Sequence, residues 1–224
     1  MFYHIISGCR PCDSGKFCAH ENATSVSGEC EAGYFCRRNA ESATPSSNQD
    51  SGPCPEGLYC PVGTGEPQKC PKGTYSKVKF LKRESECQNC TEGNYCGQLG
   101  ARNVSGPCDP GFFCLRGSEI PNPPNVTYSG GPCPVGHYCP QGTSYPLGCE
   151  AGTYNDRTGQ SNCTQCCAGF YCPSNSTSCV LECPKGFYCP PGTKTSHENP
   201  CPKGFFNNET MQQSIRLPHN TLNV

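Results

Sequence analysis

The sequence predicts a small disulfide-rich fold: an elongated tandem array of cysteine-rich modules with short β-hairpins and almost no helix. Three observations lead there. Cysteine supplies 24 of 224 residues, the density of a stapled scaffold rather than of a core-packed globule. Leu, Ile, Val and Phe together supply only 30, too few to offset the chain entropy of ordering a domain of this length. The third is a repeated pattern, Cys-x-x-Gly-x-aromatic, that runs from end to end.

The pattern opens at Cys12, Cys30, Cys54, Cys70, Cys90, Cys108, Cys133, Cys149, Cys166, Cys183 and Cys201. The Gly three residues on permits a positive φ where the backbone reverses between bridged cysteines. The Phe or Tyr five residues on can lay its ring over sulfur as a local substitute for a core. Pro often follows the opening Cys, as at Pro55, Pro71, Pro134, Pro184 and Pro202, and stiffens the unfolded chain there.

Cysteine spacing superposes in blocks, which divides the chain. Residues 1–8 form a leader or fragment edge and 9–86 repeat block one. Residues 87–162 form block two, 163–206 a shortened block three, and 207–224 a tail without Cys or pattern, expected to be disordered. The connectors SATPSSNQDSGP (42–53) and GSEIPNPPNVTYSGGP (117–132) carry no helical or strand periodicity. Short two-stranded ribbons are expected after the open motifs, with 74–76 and 153–155 as first strands.

Eight motifs carry a closing Cys six residues on; those opening at Cys70, Cys149 and Cys201 do not. Closure inside the motif pairs Cys54 with Cys60, Cys133 with Cys139 and Cys183 with Cys189. The open motifs then reach the next cysteine, Cys70 to Cys87 and Cys149 to Cys163, and the two extra cysteines, Cys167 and Cys179, pair with each other. Cys9 and Cys201 lack partners on this scheme, as in a window from a longer array. A laddered scheme such as Cys60 with Cys70 stays open, because spacing alone does not fix connectivity.

So many disulfides require an oxidising compartment, which places the chain outside the cell, secreted or in the ectodomain of a membrane protein. Sequons at Asn22, Asn103, Asn125, Asn175 and Asn208 are the expected glycosylation sites. Those at Asn89 and Asn162 have Cys in the middle position, which hinders glycan addition. No run of residues is long and apolar enough for a membrane span. The formal charge of −1, from 17 basic and 18 acidic residues, excludes a basic nucleic-acid face. The densest basic run, KVKFLKR (77–83), reads as a solvated hairpin arm.

The stretches CPEGLYCPVGT, CPKGTYSKVKFLKRESECQNC and CEAGTYNDRTGQSNCTQC resemble the ephrin-receptor-like cysteine-rich repeat family, related to tumour-necrosis-factor-receptor modules. The resemblance covers about Cys9 to Phe206. It implies disulfide-laddered modules strung in series in extracellular proteins, with a first bridge across the open motif at Cys70 and Cys87. An EGF-like array would need Cys-x-Cys, which is absent.

Cys-x-x-Cys at Cys9/Cys12, Cys87/Cys90 and Cys163/Cys166 has zinc spacing, but each pair stands alone in its block and is wanted for bridges. The histidines have no metal spacing, and no nucleophile elbow, phosphate loop or calcium loop occurs. The expected function is therefore non-catalytic and without cofactors: a structural or adhesive spacer segment of a larger secreted or cell-surface glycoprotein. Its expected partner is a protein or matrix component, and further repeats are expected to continue it. The alternative is a ligand-binding receptor ectodomain.

Overall fold

A computed structural model describes residues 8–46, 51–127 and 129–215. Readings that fall on residues 1–7 and 216–224, the leader and the end of the tail, lie outside the described residues. The chain divides into two compact units, Met1–Gly106 with Arg116–Ile120, and Pro107–Leu115 with Pro121–Val224.

Both units are built from antiparallel ribbons only two or three residues long. In the first unit Lys16–Phe17 pairs Gly28–Glu29, Tyr34–Cys36 pairs Ser51–Pro53, Leu58–Tyr59 pairs Gln68–Lys69, and Thr74–Tyr75 pairs Gln88–Asn89. In the second unit Phe112–Cys114 pairs Gly130–Pro132, His137–Tyr138 pairs Leu147–Gly148, and Thr153–Tyr154 pairs Thr164–Gln165. The only helical element among the described residues is a 3-10 turn, Glu84–Glu86.

Three expectations are corrected here. Ribbons form at closed motifs as well as open ones, because the aromatic position and its neighbour pair with the residues just before the next opening Cys. The first strands at the open motifs stop at Tyr75 and Tyr154; Ser76 and Asn155 turn inward instead. The two connectors end in strands, Ser51–Pro53 and Gly130–Pro132; at Gly131 the missing side chain admits the Val126 backbone, whose Cα would lie 2.8 Å from a Cβ there.

Within each unit a backbone ladder joins one motif to the next. The motif Gly donates its N–H to the carbonyl of the residue six past the next opening Cys, and accepts the N–H of that opening Cys. Gly57 thus donates to Ser76 O at 3.0 Å and accepts from Cys70 N at 3.0 Å. Gly152 does the same with Cys172 O at 2.7 Å and Cys166 N at 2.8 Å. A second pair of bonds follows the next closing position, where Gly63 donates to Cys30 O at 2.8 Å and Cys36 donates to Thr64 O at 2.9 Å. The backbone polar groups that two-residue strands leave unpaired are satisfied this way.

The motif Gly has a second reason besides its positive φ. A Cβ on Gly169 (φ +84°) would lie 2.6 Å from Met211 O, and one on Gly33 would lie 2.9 Å from Phe80 O. These carbonyls belong to the motif two further on, so the missing side chain is the seat into which the array stacks. The carbonyl-bearing residues themselves have positive φ, even Phe80 at 69° and Met211 at 60°. Residues 207–212, read from the sequence as the start of a patternless tail, are therefore hydrogen-bonded into the ladder, with Met211 N on Cys183 O at 3.0 Å and Cys189 N on Gln212 O at 2.7 Å.

The interior is sulfur. Among the described residues the buried apolar side chains besides cysteines are few: Ala40, Leu81, Phe113 and the prolines Pro45 and Pro123. Aromatic rings complete small clusters around the bridges: the motif residue Phe17, with Tyr34 from the variable position before Phe35, packs on Cys30, Cys36 and Ala40, and the motif residue Tyr59 packs on Cys70, Leu81 and Cys87.

Candidate functional site

The chemistry-bearing groups of this chain are its half-cystines and its exposed asparagines. The structure bonds Cys54 to Cys60, Cys133 to Cys139 and Cys183 to Cys189, and likewise Cys12–Cys18, Cys30–Cys36, Cys90–Cys96, Cys108–Cys114 and Cys166–Cys172. Cys70 is bonded to Cys87, Cys149 to Cys163, and Cys167 to Cys179. The Cα atoms of Cys70 and Cys87 stand 5.9 Å apart, and those of Cys149 and Cys163 5.8 Å, within the span a disulfide bridges without backbone movement. Cys9 and Cys201 are free thiols.

At the closing position of the open motifs stand Ser76, Asn155 and Asn207, a substitution the sequence reading passed over. Each keeps the backbone carbonyl that the ladder needs while its side chain replaces the missing bridge with hydrogen bonds. Asn155 is only 2% exposed and donates through Nδ2 to His137 O at 2.8 Å and Asn162 O at 3.1 Å. Asn207 Nδ2 donates to Phe187 O at 2.8 Å, and Ser76 Oγ donates to Val78 O at 3.0 Å. Superposing the open motifs on the closed ones exposes the signal: a small polar residue occupies the sixth position each time. Thr64, Thr143 and Thr193 are buried as well, with Oγ1 donating to Pro61, Pro140 and Pro190 carbonyls at 2.6, 2.6 and 2.7 Å.

All the sequon asparagines are exposed: Asn22, Asn103, Asn125, Asn175 and Asn208, and also Asn89 and Asn162. Asn22 and Asn175 have positive φ, 58° and 61°. The basic run is exposed except for Leu81, and part of its charge is engaged: Arg83 Nε meets Glu86 Oε1 at 3.3 Å. The Lys82 backbone N–H, with Arg83 behind it and against the effect of burial, holds the Glu86 carboxyl below its ordinary range. Burial, then the Glu84 carboxylate that accepts the Tyr59 hydroxyl at 3.2 Å, pushes the Tyr59 phenol upward.

Three sulfurs, of Cys166, Cys172 and Cys179, lie within 4.8 Å of one another. All three are locked in the Cys166–Cys172 and Cys167–Cys179 disulfides. A metal-ligating sulfur is a thiolate, so this is a contact between two bridges.

Fold and site together define a tandem array of small disulfide-bonded hairpin modules. No family model matches the chain. A stretch of 55 residues, 25% of the chain, is 36% identical to part of the ABC-type transporter claG of Penicillium crustosum, and the match spans 6% of that protein. No helix among the described residues is long and apolar enough to cross a membrane.

Proposed function

We propose that the chain is a non-catalytic extracellular spacer within a larger secreted or cell-surface glycoprotein, built to hold a defined backbone where a flexible linker would collapse. The observation that carries this reading is the ladder itself, which within each unit spends motif after motif on contact with the next and so gives the repeat a structural job. Exposed sequons and a sulfur interior suit an oxidising, glycosylating compartment. The short match, which spans 6% of a transporter, suits a stretch that forms a minor part of a larger protein. The resemblance to ephrin-receptor-like repeats supports the same architecture and lends no kinase or ephrin-binding activity.

The test is secretion. The chain, fused behind a signal peptide and expressed in a eukaryotic cell, is expected in the medium with N-glycosidase-sensitive mass and eleven closed bridges. Retention inside the cell as unglycosylated chain with scrambled disulfides would overturn the reading.

A further inference from the structure

We propose that the Cys167–Cys179 bridge is a thiol-reactive site: a small thiol of the glutathione class adds to Cys167, and the released Cys179 thiolate carries the exchange into the Cys166–Cys172 bridge behind it. This goes beyond the spacer reading and does not rest on it.

Access singles the bridge out. Among the described residues, Cys167–Cys179 is the one disulfide in which neither cysteine is buried. Its neighbour Cys166–Cys172 is closed to solvent, with Cys166 1% and Cys172 0% exposed. Val180 and Leu181, next to Cys179, are exposed as well. Exchange begins when a thiolate reaches a disulfide sulfur, so a thiol in solution meets the outer bridge and is kept from the inner one. The outer bridge is also an addition to the repeat. Cys167 stands where block two has Thr91, directly after the opening cysteine, and Cys179 lies four residues before the next opening cysteine, Cys183.

The two sulfurs of the outer bridge are not equivalent. The Cys167 backbone N–H donates to the Cys179 sulfur at 3.0 Å, and a donor aimed at a sulfur favours its anionic form. The sulfur that is more readily an anion is the better leaving group. Attack therefore falls on Cys167 and expels Cys179, whose thiolate stays where that N–H holds it.

The expelled sulfur is the one beside the inner bridge. The sulfurs of Cys166, Cys172 and Cys179 lie within 4.8 Å of one another, and Cys167 is outside that trio. In the first step the bond from the external thiol to Cys167 forms, the Cys167–Cys179 bond breaks, and its electron pair leaves on Cys179. In the second, the Cys179 thiolate bonds to one sulfur of Cys166–Cys172 and expels the other as a thiolate, which takes a proton from water. Two disulfides and one thiolate enter, and two disulfides and one thiolate remain, so the relay needs no oxidant.

The inner bridge closes the loop whose Cys166 N–H and Cys172 carbonyl are bonded to Gly152, at 2.8 and 2.7 Å. Moving the bond to Cys179 leaves that rung of the ladder to its backbone hydrogen bonds alone. A modification at the surface thereby loosens one chosen joint.

The test uses the full chain carrying Cys9→Ser and Cys201→Ser, which removes the free thiols. Folded protein is held in reduced glutathione at neutral pH, quenched with iodoacetamide at intervals and peptide-mapped. Glutathione should appear on Cys167 first, followed by Cys179 joined to Cys166 or Cys172. Adding Cys179→Ser removes the relay, and capping of Cys166 or Cys172 should then slow at least tenfold, with near-UV circular dichroism confirming the fold. Cys167→Ser leaves Cys179 as a standing thiol and should yield capped Cys166 or Cys172 without any glutathione. An inner bridge that stays intact after the outer one has opened, in the chain that keeps both Cys167 and Cys179, would overturn the proposal. So would glutathione on Cys179 in place of Cys167, or equal capping rates with and without Cys179 in folded chains.

Discussion

Gly169 and Gly186 form a matched pair that separates the two jobs of the motif glycine. Their φ angles, +84° and +82°, are nearly the same, so an alanine at either one bears the same left-handed strain, about 1–2 kcal/mol. Only at Gly169 does the new Cβ meet a carbonyl, Met211 O at 2.6 Å. Relief there requires moving backbone that is hydrogen-bonded to Cys183, an overpacking cost of about 1–3 kcal/mol. Gly169→Ala should thus unfold at lower denaturant than Gly186→Ala by that second amount. The assay is urea unfolding with disulfides intact, on Cys9→Ser/Cys201→Ser chains dilute enough to be monomeric, followed by near-UV circular dichroism. Equal destabilisation, or a larger effect at Gly186, would refute the stacking-seat reasoning.

Removing Cys70 and Cys87 together, as serines, should cost about 3 kcal/mol for its 17-residue loop, against about 2 kcal/mol for the six-residue loop of Cys54 and Cys60, read from non-reducing denaturation midpoints. Asn155→Ala leaves the His137 and Asn162 carbonyls without their donor and should cost about 2–4 kcal/mol, whereas Asn208→Ala at the exposed surface should be nearly neutral in the same assay. Asn155→Cys recreates a closing cysteine and should divert Cys149 from Cys163, which peptide mapping would find as a free Cys163 thiol. Glu86 has a lowered folded pKa, so its contribution is present above its ordinary 4.5 and lost as pH falls from there through the folded value; faster exchange of the Lys82 amide on acidification checks the sign.

The spacing of cysteines made much of this architecture legible, because a six-residue loop closed by a Gly turn leaves a local mark in the chain. The seats were not legible. The carbonyl that fills each one belongs to a residue two motifs away, and Gly63, Phe80 and Met211 share a backbone conformation but no side-chain type. A Phe or a Met at positive φ runs against local preference; the ladder imposes it by demanding that carbonyl. Most ribbons escaped notice for a related reason, since two residues are too few to show alternation. The polar substitutes Ser76, Asn155 and Asn207 were visible once the open motifs were laid on the closed ones, because a bridge position that is buried at Ser76 and Asn155 and half-buried at Asn207 restricts the choice to residues that can hydrogen-bond in place of a disulfide.

Amide hydrogen exchange before and after reduction addresses most directly whether sulfur, in place of an apolar interior, holds the chain. In the oxidised protein the ladder amides of Cys54, Gly57, Gly152 and Cys166 should be protected. After reduction and alkylation in native buffer all four should exchange at unfolded-peptide rates. Protection that survives in the fully reduced chain would contradict the account.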